Sequence, residues 1–255
     1  MAELGTINEL ISNVILDTEI AAVATRDAWS IIQATNPSDT QALSIARGEA
    51  WRQMRARGVF PHDIPTIELA GDPVAALSII ERTALSLSLR FHLETPEVAQ
   101  ILGENQKSTA AIIKTARREL ARAAIAITAL TNPTRCPVMS QSAINLSQTI
   151  TRGQAMNLVS HCAECSICVP VLRTVDRQIV SDYSQAPMQE LASEISEATI
   201  QSDTAELVTR AKLKDGWAPR DINVSRDPRK MLQRTIIFGA ISTLLIALGL
   251  WLGFS

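Results

Sequence analysis

Five residues in the second half of the chain have the types and spacing to hold a metal ion: Cys136, His161, Cys162, Cys165 and Cys168. Zinc takes four soft or borderline ligands in a tetrahedron. Two sets compete. One is His161, Cys165 and Cys168, an H-x3-C-x2-C run, with Cys136 as the fourth ligand; the other is all four cysteines. On a helix, residues spaced by four and then by three share one face, so His161, Cys165 and Cys168 form a stripe. Cys162 then points about 100° away. That favours Cys136, His161, Cys165 and Cys168 as zinc ligands and leaves Cys162 as a free thiol and redox candidate. A ferredoxin-type cluster needs another cysteine soon after Cys168, where the sequence reads VPVL.

Composition narrows the chemistry. At 46% apolar and 20% charged, the 255 residues can bury a core and are no disordered tail. A net charge of −2 excludes a bulk polycation, so any basic surface is local. Aromatic residues are 4% with a single tyrosine, which argues against a base-stacking platform. Four cysteines are too few for a disulfide scaffold. No G-x-S-x-G, P-loop, dinucleotide fingerprint or H-E-x-x-H occurs. The expectation is no enzyme and no small-molecule substrate. His62 belongs to a surface loop and His92 to a helix end.

The elements around these residues read as helices. Asp72-Pro73 to Leu93 predicts one helix. Thr95-Pro96-Glu97 then gives an N-cap, a first helical position and an acidic first turn. Val98, Ala99, Ile101 and Leu102 supply an inner face, and Gly103 the turn. Ser108 or Thr109 caps the next helix, with Thr109, Ile113, Ala116 and Leu120 facing inward. Together these make a helix-turn-helix. Residues 59–72, with two prolines and a glycine, read as a linker from the first helices.

The carboxyl end predicts a membrane anchor. Residues 235–254 are twenty residues without a charge. As a helix they span about 30 Å, the thickness of a hydrocarbon core. Arg226, Arg229, Lys230 and Arg234 flank them upstream, which places the bulk of the chain on the cytoplasmic side of the inner membrane as a single-pass protein. No secretory leader is read in MAELGTINEL, and reduced thiols follow from the location. Residues 184–234 form the linker. Its first half is acidic (Glu190, Glu194, Glu197, Asp203, Glu206) and its second half basic.

Two family resemblances attach to these motifs. Residues 136–183 resemble the zinc-binding anti-sigma domain, with Cys136 ahead of the H-x3-C-x2-C run and a glycine, Gly153, in the stretch ITRGQAM read as the inter-helix turn. Residues 93–120, LETPEVAQILGENQKSTAAIIKTARREL, resemble region 4 of extracytoplasmic-function RNA polymerase sigma factors. That resemblance implies a second helix that reads promoter DNA in the major groove and contacts polymerase. Lys107, Ser108, Lys114, Arg117 and Arg118 are the expected nucleic-acid or polymerase contacts. The chain departs at Ala110, Ala111 and Ile112, where the family carries polar readers; these side chains cannot grip guanine or phosphate. Promoter DNA is therefore a doubtful partner. Residues 17–57 resemble the second half of sigma region 2, with Trp29 and Trp51 as packing residues. Their loop NPSDTQ has no ring to trap a flipped base.

The expected architecture is all-α. Residues 1–58 form region 2-like helices, 72–130 a region 4-like helix-turn-helix and 131–183 a zinc-binding unit. A linker (184–234) and a transmembrane helix (235–254) follow. The expected function is a membrane-tethered transcription regulator of the sigma/anti-sigma type. It would work by protein–protein contact with a sigma factor or RNA polymerase around a structural zinc. A sigma-like DNA-binding factor restrained by its own zinc unit, and a membrane assembly platform without DNA binding, are the alternatives.

Overall fold

The computed structural model describes residues 3–131, 136–145 and 148–186. Three helices open the chain: α1 (Leu4–Val14), α2 (Thr18–Thr35) and α3 (Asp39–Arg55). Ile7, Leu10, Ile11 and Val14 recur at helical spacing and are all buried. Asp17 caps α2 by accepting from the amides of Glu19 and Ile20 at 3.0 and 3.1 Å. The loop NPSDTQ works as stop and start. Asn36 takes the left-handed conformation (φ 44°) that ends α2, and Ser38 with Gln41 forms the capping box that begins α3.

The chain then departs from an unbroken helical reading. Ile67–Glu68 is a strand, β1, paired antiparallel with β2 (Thr149–Ile150) in the register Ile67 to Ile150 and Glu68 to Thr149. The expected linker is thus stitched to the cysteine-bearing segment, and a two-stranded ribbon qualifies the all-α expectation. The helix expected from Pro73 to Leu93 is broken as well. Asp72 caps a short 3-10 turn, Pro73–Ala76; Leu77 is extended (ψ 142°); α4 (Ile79–Leu89) restarts behind the Ser78–Glu81 capping box.

Helix α4 is the central strut: every residue from Ile79 to Leu87 is buried. A helix buried all round must find partners for its polar side chains. Trp51 Nε1 donates to Thr83 Oγ1 at 3.2 Å, and the Thr83 hydroxyl donates to the Ile79 carbonyl at 2.7 Å. Arg152 ion-pairs with Glu81 and donates to the Ala76 carbonyl at 2.8 Å. At the far end of α4, Arg90 holds Glu9 of α1 at 2.7 Å.

After the exposed, left-handed His92 (φ 53°) comes α5 (Thr95–Leu102), capped by Glu94, one residue before the expected Thr95. Gly103 makes the turn at φ +73°, and the place of a side chain there faces the Arg47 guanidinium at 3.8 Å. That guanidinium lies 4.9 Å over the buried Trp51 ring, so α3 packs against the helix-turn-helix within this chain. Trp29 is half-buried, and His62 is exposed in its loop.

Helix α6 runs unbroken from Gln106 to Thr131, about 39 Å at 1.5 Å per residue. Asn105 starts it: its Oδ1 accepts from the Ser108 amide at 2.8 Å, a role expected of Ser108 or Thr109. Thr109, Ile113, Ala116 and Leu120 face inward as expected. The carboxyl half of α6 belongs to another core, where Ala123, Ala126 and Ala129 join Cys136, Met139, Ile150, Leu158, Cys162 and Cys168. Three further helices complete the described chain: α7 (Pro137–Asn145), α8 (Arg152–Glu164) and α9 (Val169–Gln185). Helix α9 runs antiparallel along α6: Val171, Leu172 and Val175 pack at the cysteine end, and Ile179 and Tyr183 beside Ala116 and Leu120.

Among the described residues no single helix is long and apolar enough to cross a membrane. Helices α8 and α9 meet that length and hydropathy only as a pair, bent by 118° at the cysteines. The expected span at 235–254 lies outside the described residues.

The Glu81–Arg152 pair offers a stability test. Burial alone pushes the Glu81 carboxyl up, but Arg152 and the Ser78 amide and hydroxyl together hold it below its ordinary value. A carboxyl depressed in the fold stabilises it fully above its unfolded pKa, and that stabilisation is lost as pH falls through the folded value. Arg152→Ala should cost on the order of 2–3 kcal/mol in urea unfolding, somewhat under the cost of breaking a fully buried pair. It should also flatten the acid-side slope of stability. An unchanged midpoint and slope would contradict the role given to this pair.

Candidate metal centre

Cys136, His161, Cys165 and Cys168 offer ligand atoms that all lie within 4.8 Å of one another. The chain reaches this point from three directions. Cys136 precedes α7, and its carbonyl accepts from the Ser140 amide in the first turn at 3.0 Å. His161 sits in the last turn of α8. Cys165 is the extended residue that ends α8 (φ −89°, ψ 121°), and Cys168 is the N-cap of α9.

The four residues meet for a different reason than a shared helical stripe. Helix α8 stops at Glu164, and the turn after Cys165 bends the chain by 118°. The Cys168 amide donates to the Cys165 carbonyl at 3.0 Å, closing that turn. Cys168 thereby returns to His161 instead of continuing along α8.

Three distances within the cluster lie near the edges of a metal-centred tetrahedron. Cys136 Sγ lies 3.2 Å from His161 Nε2, Cys168 Sγ lies 3.7 Å from the same nitrogen, and Cys165 Sγ lies 3.9 Å from Cys136 Sγ. Zinc bonds of about 2.3 Å to sulfur and about 2.0–2.1 Å to nitrogen imply tetrahedral edges of roughly 3.5–3.8 Å. The thiols are free, with no disulfide among them. Backbone amides of Cys168 and Ile167 donate to the Cys165 sulfur and pull its thiol below the ordinary value, favouring the thiolate that a metal needs. With Nε2 facing the sulfurs, His161 would ligate through that nitrogen and carry its proton on Nδ1.

Cys162 stands outside the cluster, fully buried in the core formed with Ala126, Met139 and Leu158. Burial pushes its thiol up. A redox role needs an accessible thiolate, and burial of Cys162 works against one in this conformation. The all-cysteine ligand set is not the one brought together.

The segment ITRGQAM is also not a turn. Thr149–Ile150 is strand β2, and Thr151 caps α8 through a capping box with Gln154, which places Gly153 inside the helix. The T-R-G-Q spacing carried that signal. Arg152, two residues before Gln154, is the charge that reaches Glu81, and nothing in the local sequence announced it.

The second group of expected contacts lies on α6. Lys107, Lys114, Arg117 and Arg118 are exposed along the face opposite its core, with Ala110 and Ala111 exposed between them. Ser108 and Ile112 are half-buried at the edge of that face. Arg118 shares Glu119 with Arg122, at 3.2 and 2.7 Å.

No protein-family model, no curated protein and no solved structure matches this chain.

Metal content checks the cluster directly. His161→Ala and Cys165→Ser should each lose most of the metal bound by the purified chain, measured by mass spectrometry of the metal. Cys162→Ala should retain it while losing some thermal stability. Equal metal loss in Cys162→Ala would return Cys162 to the ligand set.

Proposed function

We propose that the chain is a membrane-tethered transcription regulator of the sigma/anti-sigma type, acting by protein–protein contact around a structural zinc. The observation that carries this reading is the closed four-residue cluster at the junction of α7, α8 and α9. Three sulfurs and one imidazole suit zinc, and with all four positions supplied by protein none is open to a substrate. Its role is then to build a docking surface, without enzymatic turnover. The metal would fix the bend between α8 and α9, which line the same core as the carboxyl half of α6.

The face of α6 supports contact over base reading. Ala110 and Ala111 present no hydrogen-bonding side chain, while the flanking cations suit an acidic protein rim. The partner in this reading is a sigma factor or RNA polymerase. The tether is residues 235–254, on their uncharged sequence alone.

One observation favours a second reading, a sigma-like DNA-binding factor restrained by its zinc unit: four cations share one exposed helix face. Full-length protein in detergent separates the two. Used as bait, the zinc-loaded chain should retain a sigma factor or polymerase, and Cys165→Ser should lose it. Promoter duplex that shifts with a steep salt dependence, with no protein retained, would establish the second reading instead.

A further inference from the structure

Arg82 of α4 is a buried cation without an ion pair among the described residues. It is 7% exposed, and its Nε has no hydrogen-bond partner there. Burial pulls the guanidinium down to about 10, so it keeps its charge at neutral pH. Asp72 is the carboxylate within electrostatic reach, but it is exposed, forms no ion pair with Arg82 and accepts from the Val74 amide at 2.8 Å. A buried charge left unpaired is costly, and a counter-ion removes that cost.

Two hydroxyls beside it are unpartnered as well. Ser86 follows Arg82 by one turn on the same face of α4 and is fully buried. Tyr183, near the end of α9, is 6% exposed, and its hydroxyl adjoins Ser86 within electrostatic reach of Arg82. Ser86 Oγ and Tyr183 Oη have the geometry of a hydrogen bond neither with each other nor with any other described residue. Burial pushes the phenol up to about 12, so it keeps its proton and donates. Arg90, whose guanidinium lies 6.0 Å over the Tyr183 ring, is already matched by Glu9 at 2.7 Å. Leu77, Leu85, Ala116 and Leu120 supply apolar surroundings.

We propose that Arg82, Ser86 and Tyr183 bind a small monovalent anion such as chloride between α4 and the end of α9. Arg82 Nε–H and the two hydroxyls offer one donor each at this corner. Water satisfies such hydrogen bonds but brings no charge to balance the guanidinium. A multivalent oxyanion brings more charge and more acceptors than one guanidinium and two hydroxyls match. Tyr183 is the buried residue of α9, so the anion bolts the carboxyl end of that helix to α4. The site shares no residue with the cysteine cluster and is independent of the metal and of the partner.

Chloride itself is the probe. The full chain in detergent is titrated from gluconate into chloride at constant ionic strength, and binding is read as broadening of the chloride NMR line. The parent chain should broaden the line saturably and melt about 2–4 °C higher in saturating chloride. Arg82→Met should lose both responses. Ser86→Ala and Tyr183→Phe each remove one donor with little change of packing and should weaken chloride binding several-fold; they decide the matter if Arg82→Met does not fold. Asp72→Asn should retain the response. No saturable broadening by the parent chain would overturn the proposal. So would broadening that persists undiminished in the donor variants, which would put the anion elsewhere, as on the basic face of α6.

Discussion

Three short pieces of chain must end within a few ångströms of one another for the second half of this fold to close. Cys136 enters from the amino end of α7, His161 from the last turn of α8, and Cys165 and Cys168 from the bend into α9. None of these pieces has a large apolar interior: Tyr183 is the only residue of α9 that is fully buried, and α8 contributes Ala155, Leu158 and Cys162. Helices with so little buried surface need another source of order. Thiolates drawn together without a counter-ion would repel, and a dication held by the four residues would turn that repulsion into a clamp.

The first half is held by different means. Here a single helix, α4, is buried along nearly its whole length, and polar groups on it are satisfied by side chains from distant elements. Trp51 reaches Thr83 from α3, Arg152 reaches Glu81 from α8, and Arg90 at its carboxyl end fastens α1 and α9. Each is a directional bond in a setting where an unpaired partner is costly. They pin the rotation of α4, which apolar packing alone leaves loosely specified.

How far the sequence discloses this architecture depends on the range of the interaction. The choice of metal-ligand types at residues 136–168 was legible, because soft ligands at that spacing have few other uses. The reason they converge was not: periodicity extends a helix through Cys165, whereas the chain turns there. The break at Leu77 was announced by two local signals, Asp72-Pro73 and Ser78 with Glu81, but the apolar run between them read as continuous. The ribbon of Ile67 with Ile150, and the reach of Arg152 to Glu81, join residues more than seventy positions apart. Their cause is tertiary. That the carboxyl half of α6 shares a core with the cysteine-bearing helices was hidden too, because likeness to two separate modules suggested a core for each.

The Arg90 clasp has a consequence for biosynthesis. Its guanidinium binds Glu9, made early, and the carbonyl of Ala186, made 96 residues after Arg90 itself. The amino-terminal helices emerge from the ribosome long before the groups that lock them exist. Until then Leu77, ahead of α4, and Leu85 on it lack the cover that Tyr183 adds to their cluster. Closure of this fold therefore waits on contacts distant in sequence, and each carries a loop-closure cost that is met before the contact forms.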